Sequence, residues 1–295
     1  MGCMGNPCSY LSKTLAMSRK CEEFIQSGIA RTAVTRRQFS LSLLATATVA
    51  SSPALSLEGA AADEMPSEAV SAPDKAWNRA YLVRPPGSVR RPGVLIMHDN
   101  RGLNRYFRNV AKRLAAEGFI AMAPNFVPVS PPTEEDSREA RDELLRMPTP
   151  QIITKLDDCA QFLSRHPMCT GEVAALGFVW GGSFVADLIL TSATLRTAVL
   201  YYTPPPKPSD APKIRMPVLL HFVSNDERTA PYVFPFENKM IGLGKEFEHY
   251  IYDGVVPGFD QETNKKIYDK IASDVAFERT VQFLRRHLSR ERKSG

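Results

Sequence analysis

The chain has 295 residues, 43% hydrophobic and 23% charged, with 37 Lys and Arg against 32 Asp and Glu. This globular composition excludes a disordered polymer, the modest net charge of +5 leaves no strong nucleic-acid footprint, and no apolar run reaches the ~20 residues of a membrane span. Five cysteines without CxxC or clustered Cys/His spacing exclude a disulfide-built miniprotein and offer no structural zinc site.

Residues 1–62 read as an address. A basic start leads to Thr35-Arg36-Arg37-Gln38-Phe39, then to a weakly apolar stretch, Leu41–Ala50, and then to small residues at Gly59-Ala60-Ala61-Ala62. Basic region, apolar segment and Ala-x-Ala site, in that order, are the layout of an export signal. The arginine pair and the Phe after it resemble the twin-arginine signal of bacteria, which implies a periplasmic or extracellular mature chain. A basic tail with a chance Arg-Arg is the competing reading, and Met17 is a second candidate start. Of the two cysteines beyond this segment, Cys159 and Cys169, each reads as a separate small hydrophobe rather than half of a pair. Residues 63–74 read as a linker, and 75–295 as one α/β domain.

Within that domain, Pro92–His98 is an apolar run bounded by turn residues, the pattern of a buried strand. Phe107, Val110, Ala111 and Leu114 then recur at helical spacing until Gly118 ends them. Phe119–Ala123 is a second strand. Polar helices are expected over Glu134–Met147 and Gln151–His166, the latter with Ile153, Leu156, Ala160 and Leu163 as its stripe. Glu172–Leu176 is a third strand, followed by a Gly-rich turn and a helix through Val185 and Leu188. Thr197–Tyr202 and Pro217–Val223 are further strands, with Pro204-Pro205-Pro206 a stiff connector between them. Phe247–Tyr252 alternates like a strand near an edge, and a last helix runs from about Asp274 to Leu288. Strands separated by helices predict a mainly parallel, twisted sheet with helices on both faces. Sites in such sheets form beyond the carboxyl ends of the strands. Four turns fall there: residues 98–103, 177–182, 224–228 and 254–259.

The second turn, strand–Gly177-x-Val179-x-Gly181–helix, has the spacing of a nucleophile elbow, in which glycines two before and two after the central residue relieve crowding. An acidic turn at Asp226 and a further turn at Pro257 follow it. Nucleophile, acid and base occur in that chain order in α/β-hydrolases.

On these residues the chain resembles the dienelactone hydrolase family over roughly 75–290. The resemblance is carried by His98-Asp99-Asn100-Arg101-Gly102-Leu103-Asn104, Arg113–Phe119, Ala123-Pro124, Gly177-Phe178-x-Trp180-Gly181-Gly182, Asn225-Asp226-Glu227-Arg228 and Gly258-Phe259. It implies an α/β-hydrolase fold and hydrolysis of a lactone or ester through a Cys–His–Asp triad, without metal or cofactor. Position by position, the implied chemistry fails. The nucleophile slot holds Val179, the base slot holds Pro257, and a slot for Glu in the first turn holds the shorter Asp99. Asp226, the acid that would orient the base, is retained. Valine offers no nucleophilic atom and proline no side-chain proton acceptor, so an acyl-enzyme route is closed. Backbone N–H groups near Trp180 and Asn100, the family's oxyanion positions, are what the resemblance leaves.

The leading expectation is therefore a disabled homologue that binds a small ester, lactone or carboxylate, or a protein partner. The alternatives are an active hydrolase with a non-standard nucleophile or activated water, and an interaction protein whose pocket is filled. Arg101 and Arg228 stand in site turns and are candidates for gripping a carboxylate bidentately, with a structural ion pair the equal alternative for Arg101. Ser183 lies inside the helix after the elbow with no assignable base. His98 reads as a strand-end residue bonded to backbone, and His221 and His249 as strand residues. Tyr201 and Tyr202 read as pocket lining or aromatic core. Oligomeric state is left open. For Val179 itself two outcomes are expected: a strained, positive-φ elbow held by its glycines, or a relaxed turn.

Overall fold

Alternation with a period of two in the central strands decides the layering. In the computed structural model, residues 66–70, 79–126 and 138–289 are described, all within one unit spanning residues 56–295. The export-type segment expected over 1–62 lies outside them. The described strands are β1 (Ser67–Val70), β2 (Arg79–Val83), β3 (Arg91–Met97), β4 (Ile120–Asn125), β5 (Cys169–Phe178), β6 (Leu195–Tyr201), β7 (Val218–Val223) and β8 (Phe247–Tyr252). They form one sheet in the order β1-β2-β4-β3-β5-β6-β7-β8. β1 and β2 pair antiparallel at one edge, and all pairings from β4 across to β8 are parallel.

The helices are α1 (Arg105–Ala116), α2 (Arg138–Arg146), α3 (Thr149–Arg165), α4 (Trp180–Leu188), α5 (Ala230–Gly242) and α6 (Lys270–Leu288). In β3, Leu95 and Met97 pack into the layer with Leu156 and Leu163 of α3 and Val185 of α4. Val94 and Ile96 point the other way, into the layer with Phe107 and Leu114 of α1 and Phe283 and Leu284 of α6. Both faces of the sheet are thus covered, as parallel strands require. A side chain on Gly93 would come within 2.8 Å of Leu163 Cγ, so its absence lets α3 lie tight on β3.

Local signals explain the helix starts. Asn104 caps α1 by accepting from Phe107 N at 3.3 Å, and Asp269 caps α6 by accepting from Ala272 N at 2.8 Å. That second cap starts α6 a turn earlier than the apolar periodicity suggested. Two expectations are corrected. Residues 67–70, read as linker, form β1 and pair with Ala80–Val83. β5 runs from Cys169 to Phe178 rather than Glu172 to Leu176. The helix α5, between β7 and β8, was not among the expected elements; Pro231 sits in its first turn, where a missing N–H costs nothing. The expected start of the helix at Glu134 lies outside the described residues. Cys159 and Cys169 are both buried and free. Among the described residues no helix is long and apolar enough to cross a membrane.

A polar chain runs through the α6-side core. His221 Nδ1 lies 2.8 Å from Tyr252 Oη and its Nε2 lies 3.0 Å from Thr280 Oγ1, which is also 2.6 Å from Tyr201 Oη. It ties β6, β7 and β8 to α6. Burial lowers the His221 pKa to about 3, so the imidazole is neutral and both its nitrogens are occupied.

Candidate functional site

The carboxyl ends of β3, β5, β6, β7 and β8 bring the four sequence-predicted turns to one rim of the sheet. The register fixes this: Met97 pairs with Gly177, Phe178 with Tyr201, and Val223 with Tyr252. Val179 follows β5 immediately, and it has φ 50 and ψ −113. The strained alternative is the one adopted. For a β-branched residue this is a backbone region that its own preferences disfavour.

The surroundings enforce it. Val179 N donates to Tyr201 O at 2.9 Å, and Thr203 Oγ1 donates to Val179 O at 2.8 Å. A side chain at Gly181 would fall 2.0 Å from His98 O, and one at Gly182 would fall 2.0 Å from Thr203 Oγ1. The first site loop and the residue after Tyr202 therefore press directly on the first turn of α4. Only glycine permits that approach. Tyr202 is itself held at φ 53.

Trp180 begins α4, so its N–H has no acceptor within the helix. The Asn100 N–H makes no backbone hydrogen bond among the described residues. Both donors lie at the rim where the first loop crosses the start of α4, and the helix dipole adds to the attraction for a carbonyl or carboxylate oxygen.

The two site carboxylates are arranged alike. Asp99 accepts from Arg101 N and Arg101 Nε, each at 2.9 Å, and Arg101 Nη2 reaches across to Gln261 Oε1. Asp226 accepts from Arg228 N at 3.2 Å, Arg228 Nε at 2.9 Å and Thr229 Oγ1 at 3.0 Å. The Asp226 side chain is 3% exposed and the Arg228 side chain 63% exposed. Each acid is held by the arginine two residues after it, through backbone and side chain together. Asp226 thus has bonding partners although Pro257, half-buried in the neighbouring turn, can present it no imidazole.

The other histidines do not fill the base slot. His98 is buried between Phe107 and Phe126, and its Nδ1–H donates to Asp99 O at 2.7 Å. Burial lowers its pKa, against a smaller opposing effect of Asp99. His249 lies 3.2 Å from Glu237, on the α5 side of the sheet. Ser183 is exposed on α4.

A cluster that sequence reasoning passed over lies behind the rim. Asp260, three residues after the base slot, is buried and accepts from Tyr106 Oη of α1. Burial pushes its carboxyl up to about 6, against the phenols of Tyr106 and Tyr202. Its only advance signal was a carboxylate directly after Gly258-Phe259. Among the described residues, Glu246, Glu248 and His287 place three potential metal-ligand atoms within 4.8 Å of one another, but at the opposite end of β8, where Arg286 already bonds Glu248.

The dienelactone hydrolase family pattern matches residues 78–288. A Bradyrhizobium protein described as "Probable 2-oxo-3-(5-oxofuran-2-ylidene)propanoate lactonase" is 28% identical over 229 residues, covering 72% of this chain and 91% of its own. A protein of Aquifex pyrophilus, usf, is 26% identical over 235 residues, covering 72% of this chain and 94% of its own. Among solved structures, a dienelactone hydrolase-like promiscuous phosphotriesterase from metagenomic libraries superposes with a TM-score of 0.63 at 20% identity, over 76% of this chain and 98% of that one. Dienelactone hydrolase from Anabaena variabilis gives a TM-score of 0.56 at 16% identity, over 76% and 99%. These superpositions establish a common fold, an α/β-hydrolase sheet with its helices. The chain belongs to the dienelactone hydrolase family.

Proposed function

We propose that this protein is a family member without triad hydrolysis, retained as a binder of a small ester, lactone or carboxylate, and exported by its twin-arginine-type segment. The observation that carries the reading is the elbow. Val179 stands at φ 50 although no thiol needs presenting there. The close-approach glycines and the Thr203 hydroxyl that hold this geometry are all in place. Such geometry has one consequence that outlives the nucleophile: it aims the Trp180 N–H at the rim. A ligand carbonyl or carboxylate oxygen would accept there from Trp180 and Asn100. Valine and proline would offer apolar contact where nucleophile and base stood.

Loss of a triad nucleophile costs on the order of 10⁶ in turnover, so hydrolysis is the discriminating assay. The full chain is compared with a Val179→Cys/Pro257→His variant on a chromogenic aryl acetate. The natural protein is expected at the rate of a heat-denatured control, and the variant well above it. In a Trp77→Phe background, Trp180 fluorescence is expected to respond to a butenolide lactone or a short carboxylate. Turnover by the natural protein above the control would overturn the reading. No fluorescence response and no protection by any such ligand would reduce it to a fold without a ligand site.

A further inference from the structure

β8 closes one end of the sheet and pairs on one side only, with β7. Val218 N donates to Glu246 O and Ser224 N to Tyr252 O, so the even-numbered residues of this stretch address β7. Alternate residues face the other way. The N–H and C=O groups of Phe247, His249 and Ile251 therefore point outward, with no backbone partner among the described residues. Edges of this kind are ordinarily guarded by lysine, proline, a bulge or very short length. β1, at the other end, is four residues long. β8 has six residues, Phe-Glu-His-Tyr-Ile-Tyr, follows β7 without a register shift, and has its one carboxylate, Glu248, already bonded by Arg286.

The side chains along this edge sort by face. Phe247, His249 and Ile251 share the α5 side, where Phe247 is 5.1 Å from Phe236 between ring centroids and His249 lies 3.2 Å from Glu237. Phe234, Glu237 and Ile241 fall on one stripe of α5, at i, i+3 and i+7, and Phe234 also stacks on His249. That stripe carries Ile241 alongside the strand. Ile241 is 64% exposed and Ile251 41%. On the α6 side stand Glu248 and Tyr250, the latter beneath the Arg279 guanidinium at 4.0 Å from its ring centroid.

We propose that β8 pairs antiparallel with β8 of a second copy of this chain, about a two-fold axis at His249, joining two eight-stranded sheets into one. The register argues for a copy. Symmetric pairings of the outward residues centre the axis on Glu248, His249 or Tyr250, and registers centred further out pair half the strand or less. An axis at Glu248 sets two carboxylates face to face, and one at Tyr250 brings two Arg279 guanidinium groups together. Like charges directly opposite are destabilising. The axis at His249 sets Glu248 opposite Tyr250, so that the carboxylate meets the guanidinium stacked on the second copy's Tyr250. On the α5 side it sets Ile251 opposite Phe247, beside the exposed Ile241 of the second copy. Both contacts occur twice by symmetry. The edge thus matches itself in backbone, charge and apolar surface, as an isologous contact requires. Antiparallel pairing points the two site rims in opposite directions.

Sedimentation velocity on the full chain tests this, and the natural protein is expected to run as a dimer at micromolar concentration. Ile251→Lys sets an unpaired ammonium against the second copy's Phe247 twice, and is expected to weaken the dimer by about 10²-fold or more with circular dichroism unchanged. Cysteine pairing reads the register, in a chain carrying Cys3→Ser, Cys8→Ser and Cys21→Ser and keeping the buried Cys159 and Cys169. There, His249→Cys is expected to oxidise to a covalent dimer, since opposed hydrogen-bonded residues stand with Cα atoms about 5.5 Å apart. Phe247→Cys, four residues out of register with its own counterpart, is expected not to. A monomeric natural chain overturns the proposal and leaves this edge to a different protein. So does a dimer that Ile251→Lys does not weaken, or one that cross-links through 247 and not through 249. Should His249→Cys fail to fold, the Ile251→Lys comparison still decides.

Discussion

Replacing Val179 by alanine and by glycine separates backbone strain from side-chain burial. At φ 50 and ψ −113, any residue with a Cβ is strained by roughly 1–3 kcal/mol. Val179→Ala keeps that strain and loses the contacts of a half-buried isopropyl group, about 1 kcal/mol. Val179→Gly loses the same contacts but releases the strain, against a backbone-entropy cost of about 0.5–1 kcal/mol. The glycine variant should therefore be more stable than the alanine variant by about 1 kcal/mol. At an ordinary backbone position the order is reversed. For a domain of this size 1 kcal/mol corresponds to about 2–4 °C in Tm, so melting and urea titration of the two variants side by side resolve the difference. A glycine variant that melts below the alanine variant would refute the strained elbow, and with it the argument that Trp180 N–H is still aimed at the rim.

Three further outcomes follow from the same geometry. Gly181→Ala would place a methyl 2.0 Å from His98 O, a backbone atom that cannot turn aside, and should cost about 3 kcal/mol or more in urea unfolding; a loss under 1 kcal/mol would show that the first loop does not press on α4. Thr280→Val removes the hydroxyl shared by His221 and Tyr201 while keeping shape, and should cost about 2–4 kcal/mol, with Thr280→Ser close to the natural protein. In the Val179→Cys/Pro257→His background, adding Asp226→Asn should cut the acquired esterase activity by about 10²–10⁴. Retention of activity would mean that Asp226, held by Arg228 and Thr229, does not turn toward a histidine at 257.

Sequence pattern carried the central strands, because β3, β5, β6 and β7 are buried on both faces and bounded by Gly, Pro or polar turns. The elbow was legible for a different reason: Gly177, Gly181 and Gly182 are forced by atoms that would otherwise overlap, so spacing encodes geometry directly. β1 was not legible, since Ser67–Val70 is short, exposed at the edge and lacks a hydrophobic face to mark it. α5 was hidden by prolines that tertiary packing of Val233, Phe236 and Met240 overrides. At the site, the slots could be numbered from the chain, but not their new bonds. Nothing in the sequence separates an arginine aimed at a ligand from one folded back on the aspartate two residues before it. Asp260 was missed because its partners, Tyr106 and Tyr202, come from two distant segments of the chain.

The paired Asp-x-Arg turns also decide what the two site arginines contribute at long range. Asp99 with Arg101 and Asp226 with Arg228 each cancel within a few ångströms, so beyond a Debye length neither pair adds much field. An anion approaching the rim therefore gains little steering from either arginine. On the proposed binding reading, these arginines would act on a ligand only at short range, by leaving their aspartates.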